Sequence, residues 1–215
     1  MKFAVSYSGG KDGALALHRL ISAGHTPIAL ISTMNAEQHR TWFHGIQLDL
    51  LEAVSASLGI PLVVCECVPD EYSQEFERGL IRAKEMGAEA CAFGDIDIES
   101  HREWDEERCT NAGLGCILPL WKQERAVLVR EAIEAGFKAM IKIVQCDKLD
   151  ESFLGKDLSL RLVEDIAAAG ADACGENGEY HTFVHDGPIF KHKIPLVNQG
   201  IVDLGTHKVA DIALR

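Results

Sequence analysis

Short apolar runs alternate with amphipathic segments along most of this chain. Lys2 to Tyr7 is apolar, and apolar residues then recur at helical spacing from Ala14 to Ile21, shortly before Gly24. The same alternation continues as far as Trp121. Buried strands that alternate with amphipathic helices predict βαβ units and a parallel sheet covered by helices on both faces.

Most of the predicted helices in this first part end close to a glycine, which is typical of helix C-termini. The strands are expected at residues 2–7, 27–33, 61–67 and 90–93. The helices are expected at residues 14–21, 46–58, 71–86 and 99–112.

The character of the sequence changes beyond Trp121. Helical patterns occur at 124–134 and 158–169, with a strand pattern at 138–144 between them. From Gly175 onward the chain is rich in glycine, histidine and strand-forming residues and has no helical periodicity, which predicts antiparallel strands and loops. We therefore predict a parallel-sheet α/β domain at residues 1–125 and a smaller α+β domain at residues 126–215.

Composition and charge restrict the classes of protein to which the chain can belong. The 215 residues are 47% hydrophobic and 25% charged, with a formal net charge of −12. An acidic chain is not expected to bind nucleic-acid backbones, because that binding depends on Lys and Arg. No apolar run approaches the roughly 18 residues of a transmembrane helix, and the first residues do not resemble a signal peptide. The seven cysteines are odd in number and irregularly spaced, which predicts reduced thiols in a cytoplasmic protein. They include no C-x-x-C pair, which argues against structural zinc, iron–sulfur clusters and thioredoxin-like redox chemistry.

The loop between the first strand and the first helix carries the clearest chemical signal. Its sequence, SGGKDG, covers residues 8–13. Glycines allow a tight turn, and the start of a helix presents unpaired amide groups and the positive end of the helix dipole, so a phosphate group fits there. Lys11 adds a cation, whereas Asp12 would repel phosphate directly and is expected to hold a bridging Mg²⁺. The spacing matches neither the Walker A motif nor G-x-G-x-x-G.

The segment SGGKD after an N-terminal strand resembles the PP-loop of the N-type ATP pyrophosphatases. That resemblance implies a Rossmann-like, HUP-type fold and cleavage of ATP between its α and β phosphates. It implies ATP and Mg²⁺ as cofactors and Lys11 and Asp12 as catalytic residues. It also implies a set of nucleotide-binding residues: Ser8, Gly9, Gly10, Lys11, Asp12 and Gly13.

A second motif narrows the resemblance. Residues 175–183, GENGEYHTF, and 186–190, DGPIF, resemble the E-G-G-E-Y-x-T and D-x-P-x-F signatures of the diphthine–ammonia ligases. The resemblance covers nearly the whole chain. It implies that the protein adenylates a substrate carboxylate, transfers ammonia to it and releases AMP and pyrophosphate. Diphthine on elongation factor 2 is the implied partner, and homodimerisation is left open.

Two positions depart from the family pattern. Gly13 stands where Ser or Thr is usual, so one hydroxyl donor for phosphate is missing. Asn177 replaces a glycine, and asparagine tolerates positive φ better than most residues.

Several polar residues are candidates for the ammonia step and for substrate binding. Ammonium must lose a proton before it attacks, and Glu176 and Glu179 are candidates to accept that proton. Asn177 and Tyr180 belong to the same motif and are expected to bind substrate. His44, in the loop after the second strand, and Asp95, at the end of a later strand, are further substrate-binding candidates. For Asp95, contact with Mg²⁺ or a ribose and a capping role at the next helix also stay open.

Two other functions stay open from the sequence. The same loop could serve an ATP pyrophosphatase that acts on another small acid or on an RNA. It could also belong to a nucleotide-binding regulatory module without catalytic activity, although such a module would not need the pair Lys11 and Asp12 at the phosphates.

Overall fold

The computed structural model describes residues 1–215 and contains two sheets. The strands of the first sheet are β1 (Lys2–Ser6), β2 (Thr26–Asn35), β3 (Arg40–Thr41), β4 (Leu62–Cys67), β5 (Ala90–Ala92) and β6 (Gly115–Ile117). The strands of the second sheet are β7 (Lys138–Gln145), β8 (Tyr180–Asp186), β9 (Leu196–Asp203) and β10 (His207–Leu214). The α-helices are α1 (Lys11–Ser22), α2 (Leu48–Leu58), α3 (Tyr72–Glu85), α4 (Glu99–Ala112), α5 (Arg125–Glu134) and α6 (Leu160–Ala168).

The first sheet is parallel around a central strand, β1. β1 pairs with β2 on one side and with β5 on the other, and β4 and β6 extend the sheet outward from these two neighbours. The chain therefore forms β2 and β4 on one side of β1 before it crosses to form β5 and β6 on the other side. Open α/β sheets bind ligands where the strand order reverses in this way, at the carboxyl ends of the strands. Here that position lies between β1 and β5.

Helices cover both faces of this sheet, as predicted. Phe3 and Val5 belong to a large hydrophobic cluster with residues of α1 and α2, whereas Ala4 belongs to a second cluster with residues of α3 and α4. This division follows from the two-residue period of a strand. The large cluster also contains Ile141 and Val184 from the second sheet, so the two sheets share one hydrophobic core.

The second sheet is antiparallel, as the C-terminal sequence predicted. β7 lies between β8 and β10, and β9 forms the outer edge beyond β10. None of the six helices is both long enough and apolar enough to cross a membrane. The division of the chain at residue 125, which is the first residue of α5, stays a prediction.

The differences from the predicted elements are small and local. The helix predicted from Ile46 begins at Leu48, with Gln47 as its N-cap, and β2 continues to Asn35. β3 is an antiparallel strand of two residues that pairs with the end of β2. The pattern analysis missed it because a strand this short shows no periodicity.

Candidate active site

The glycine-rich loop, residues 8–13, connects β1 to α1 at the point where the strand order reverses. Gly10 is the N-cap of α1 and no side chain caps this helix. Gly9 has a φ of 89°, which favours glycine. The amide groups of Gly10, Asp12 and Gly13 donate to no acceptor within the chain. These are the unpaired donors expected at a helix start, and they would bind an anion such as phosphate.

Lys11 is a buried cation beside the loop. Its side chain is buried, and its Nζ atom lies 2.8 Å from Oδ2 of Asp12 and 5.4 Å from the centre of the Tyr180 ring. Burial is the largest single influence and lowers the pKa of Lys11, but Asp12, Cys174 and Tyr180 together outweigh it and the pKa lies well above its ordinary value. Lys11 is therefore charged at every physiological pH.

Strand β8 supports this loop from the second sheet. The amide of Lys11 donates to Oγ1 of Thr182 at 3.1 Å, and the amide of Val184 donates to the carbonyl oxygen of Gly9 at 2.8 Å. The ring of Phe183 lies 3.2 Å from the position that a Cβ atom would occupy at Gly9. The C-terminal part of the chain thus helps to define the shape of the N-terminal loop.

Gly94 brings the end of β5 against the start of α1. A Cβ atom at Gly94 would lie 2.7 Å from the amide nitrogen of Gly13 and 2.8 Å from the carbonyl carbon of Asp12. Both contacts are with backbone, which cannot swing aside as a flexible side chain can. The close approach therefore requires glycine, and it places the next residue, Asp95, near the loop.

His44 and His181 lie together on one wall of the site. Their ring centres are 4.8 Å apart, and Nδ1 of His44 lies 2.9 Å from the carbonyl oxygen of Thr182. Burial lowers the pKa of His44 to about 4 and that of His181 to about 3, so both are neutral at pH 7. Because a carbonyl only accepts, Nδ1 of His44 carries the proton and Nε2 is left as an acceptor.

Asp95 lies on another wall, next to α4. Its Oδ1 atom is 3.0 Å from Nδ1 of His101, and this hydrogen bond raises the pKa of the histidine. Asp105 lies one turn further along α4 and is buried. Burial and then the charge of Asp95 raise the pKa of Asp105 well above its ordinary value. No group of three or more His, Cys, Asp or Glu side chains in the structure is arranged to hold a metal ion.

The two glutamates of the GENGEY segment have different surroundings. Glu176 lines the site, and burial and then the charge of Asp12 raise its pKa to about 7. Glu179 is buried outside the site, where its carboxylate accepts from the amides of Asp172 and Asn177 at 3.2 and 3.1 Å. Asn177 is exposed and also lies outside the site. The structure therefore places Glu176 in the cleft beside the loop, whereas the Glu179 carboxylate binds the backbone amides of Asp172 and Asn177.

Arg125 fastens the GENGEY segment to the first sheet. Its guanidinium forms ion pairs with Asp97, beyond β5, and with Asp172. It also donates to Oδ1 of Asn177 at 3.2 Å. Arg125 thus links the segment that follows Asp95 to the segment that carries Glu176.

Together these elements enclose a cleft of about 520 Å³. Nine of the residues expected from the sequence line it: Ser8, Gly10, Lys11, Asp12, Gly13, His44, Asp95, Glu176 and Tyr180. The structure adds residues that were not expected there: Thr33, Phe43, Tyr72, Asp105, His181 and Thr182. The spacing of His101 and Asp105, one helical turn apart, was the available signal for Asp105.

Comparison with protein families decides where the chain belongs. The family model described as "Diphthamide synthase N-terminal domain" matches residues 1–116, and the one described as "Diphthamide synthase C-terminal domain" matches residues 124–212. The chain belongs to the diphthamide synthase family. Membership confirms the resemblance drawn from SGGKD and GENGEY, and with it the expectation of an ATP-dependent ligase with a PP-loop.

Named members of the diphthamide synthase family are similar over most of their length. The diphthine–ammonia ligase of Homo sapiens is 28% identical over an alignment of 239 positions, which covers 99% of this chain and 89% of the human protein. The diphthine–ammonia ligase of Danio rerio is 28% identical over an alignment of 211 positions, which covers 87% of this chain and 83% of the Danio rerio protein.

Among solved structures, a predicted subunit of tRNA methyltransferase from Methanocaldococcus jannaschii is similar to this chain with a TM-score of 0.47 and 18% identity. The alignment covers 90% of this chain and 100% of that one. A likeness of this size supports no conclusion about function.

Proposed function

We propose that this chain is an AMP-forming ligase that joins ammonia to the carboxylate of diphthine, or of a closely similar group, on elongation factor 2. One observation carries the proposal: a single cleft holds both a phosphate-binding loop with a buried Lys11 and a carboxyl group, Glu176, whose pKa is about 7. A ligase of this kind needs the loop to activate the acid and needs a base for the nitrogen nucleophile.

The first step is activation of the carboxylate. A carboxylate is a poor acyl donor because its leaving group would be oxide. Attack of its oxygen on the α-phosphorus of ATP gives an acyl adenylate and releases pyrophosphate. The free amides of the loop and Lys11 would stabilise the charge that develops on the pyrophosphate.

Asp12 is the residue that suits Mg²⁺ in this step. Proteins bind Mg²⁺ through one or two carboxylates together with the phosphates of the substrate, so a cage made only of side chains is not required. The bound ion would neutralise phosphate charge. Asp12 also lies beside Lys11, whose ammonium would then be shared with the phosphates.

The second step is attack of ammonia on the acyl carbon, which forms the amide and breaks the bond from that carbon to the phosphate oxygen, so that AMP leaves. Ammonium must lose a proton first, and a base with a pKa near the working pH does this best. Glu176 has that pKa because it is largely buried and faces Asp12. We assign Glu176 as the base and Glu179 as a positioning residue, since the Glu179 carboxylate is engaged with backbone amides.

The remaining candidates divide into substrate contacts and supports. His44 offers a neutral Nε2 acceptor on the cleft wall, and Asp95 offers a carboxylate beside the loop. Tyr180 donates its hydroxyl to the carbonyl of Ala173 at 2.7 Å and packs against Lys11, so we assign it a supporting role. The seven cysteines are all free thiols, which suits a reaction in the cytoplasm.

The test is a reaction with defined components. The protein is incubated with ATP, Mg²⁺, ammonium and elongation factor 2 that carries diphthine, and pyrophosphate, AMP and the modified peptide are measured. We expect pyrophosphate release that requires the acceptor protein, and conversion of its carboxyl group to an amide. Release that is supported equally by a small acid or by an RNA would contradict the assigned substrate. Saturable ATP binding without any pyrophosphate release would favour a regulatory module.

A further inference from the structure

The Asp95 side chain lies next to two residues of α4, His101 and Asp105. His101 and Asp105 are one helical turn apart and therefore point from the same face of the helix. Oδ1 of Asp95 is 3.0 Å from Nδ1 of His101. The charge of Asp95 raises the pKa of Asp105 more than that of any other neighbouring group, so the two carboxyl groups are neighbours in the cleft. All three residues line the cleft.

The buried carboxyl group of Asp105 forms no ion pair and has an unpartnered oxygen atom, so a charge there would be unfavourable. Ionised carboxylates only accept hydrogen bonds, so two of them cannot bond to each other. Asp105 is only 3% exposed, and its Oδ2 atom receives a hydrogen bond from no donor in the chain. A proton on Asp105 removes this difficulty, because its O–H group can donate to Asp95 and no second charge is then buried.

The groups packed around Asp105 favour the protonated form. Cys116 faces it from β6, Tyr72 from α3 and Glu106 from its own helix, and none of these is a cation. A hydrogen bond with Cys109 raises the pKa of the Cys116 thiol, and burial raises the pKa of the Tyr72 hydroxyl. The side chains of Cys116 and Tyr72 therefore stay neutral. His101, one turn away on the same helix, forms its hydrogen bond with Asp95. These surroundings agree with the direction of the shift, because burial and then the charge of Asp95 raise the pKa of Asp105 well above its ordinary value.

We propose that Asp105 is a neutral carboxylic acid that donates its proton to Asp95 and so fixes the orientation of the Asp95 carboxylate in the cleft. Asp105 is then a positioning residue, which acts on the substrate only through Asp95. The shared proton is independent of the proposed function, whereas its effect on turnover rests on that function.

Infrared spectroscopy tests the proton directly. Spectra of the full chain and of Asp105→Asn are compared at about pH 8.5, where Glu176, with its pKa of about 7, is ionised. We expect the wild-type protein to show the carbonyl stretch of a protonated carboxyl group, sensitive to deuterium exchange, and the variant to lack it. A wild-type spectrum without that band overturns the proposal, whatever the enzyme's activity.

A pair of variants tests the positioning role. Asp105→Asn keeps an N–H donor for Asp95, so its kcat/KM for pyrophosphate release is expected to fall by no more than about threefold. Asp105→Leu has a similar size and no donor, and a loss of about 30-fold or more is expected, with ATP binding unchanged by calorimetry. Circular dichroism and melting curves establish that both variants fold.

The pH profile separates this role from a structural one. Wild-type turnover is expected to decline at alkaline pH, where Asp105 loses the shared proton, and Asp105→Asn is expected to lack that decline. A folded Asn variant as impaired as the Leu variant would overturn the proposal. If the wild-type protein releases no pyrophosphate at all, the proposed function fails, and the infrared result alone decides on the proton.

Discussion

The backbone amide of Lys11 donates a hydrogen bond of 3.1 Å to the side-chain hydroxyl of Thr182, a residue 171 positions further along the chain. The carbonyl oxygen of the same threonine accepts from Nδ1 of His44 at 2.9 Å. One residue of β8 therefore holds both the phosphate-binding loop and a histidine of the cleft wall. The cleft is a joint product of the two sheets.

Thr182→Val is expected to weaken both the fold and ATP binding. Valine has nearly the same shape but leaves the buried amide of Lys11 without an acceptor, which costs about 1–3 kcal/mol of unfolding free energy. Denaturant unfolding measures that loss, and calorimetry measures the reduced affinity for ATP. Thr182→Ser keeps the hydroxyl and serves as the control. Equal stability of the Val and Ser variants would show that this hydrogen bond contributes nothing.

Gly94→Ala is expected to disrupt the nucleotide site. The added methyl group would lie 2.7 Å from the amide nitrogen of Gly13, so β5 and the start of α1 must move apart. ATP affinity should fall at least tenfold, and stability should fall by about 1–3 kcal/mol, the usual cost of overpacking. Gly13→Ala is the matched control, because a Cβ atom at Gly13 approaches other atoms no closer than 3.4 Å.

Gly13→Ser is expected to improve the loop. The position lies in the first turn of α1 without positive φ, so a side chain fits there and reduces the entropy cost of glycine in a helix, by about 0.5–1 kcal/mol. The new hydroxyl is also expected to supply the phosphate donor that is missing relative to the family pattern. Gly13→Ala should show the gain in stability without the gain in ATP affinity. If the Ser and Ala variants bind ATP equally well, the hydroxyl does not contact phosphate.

Glu176→Gln is expected to abolish the pH dependence of amide formation. The wild-type base works as a carboxylate, so its rate should rise with pH through about 7, whereas the variant should be slow at every pH. Initial rates of amide formation across this range, with excess ammonium, provide the measurement. A wild-type rate that stays flat through pH 7 would contradict the assignment.

Glu176→Gln also tests how stability depends on pH. Ionisation of Glu176 is expected to raise the rate of amide formation but to lower the stability of the wild-type protein. The folded-state pKa of Glu176 lies above its ordinary value of 4.5, so the wild-type protein loses stability as the pH rises from about 4.5 through about 7. Glutamine does not titrate, so the melting temperature of Glu176→Gln relative to wild type should increase over this interval. A constant difference between the two melting temperatures would show that the pKa is not raised.

Glu179→Gln separates the two glutamates. The carboxylate of Glu179 accepts from two backbone amides, so an amide side chain loses part of this charge-assisted bonding and lowers the melting temperature. The rise of the rate with pH through 7 should persist, because Glu176 is intact. A variant with normal stability that has lost this rise would reverse the roles assigned to the two residues.

Much of the fold and part of the site could be predicted from the sequence. Helix α4 was predicted with its observed bounds, Glu99–Ala112, because a continuous polar stretch lies there between two apolar runs. The loop at residues 8–13 was recognisable because its glycines, Lys11 and Asp12 are adjacent in the chain. Asp105 was missed because its role depends on burial beside Asp95, and it lies among acidic residues typical of a solvent-exposed helix face.

The sequence by itself determined the alternation of strands and helices, the position of the loop and the family. These features follow from local periodicity and from motifs of adjacent residues. Only the tertiary structure decided that Glu176 faces the loop while Glu179 binds backbone amides, and that Thr182 supports Lys11. Those decisions depend on contacts between distant segments and on burial, because desolvation and neighbouring charges set the protonation state of a group and neither is encoded at a single position.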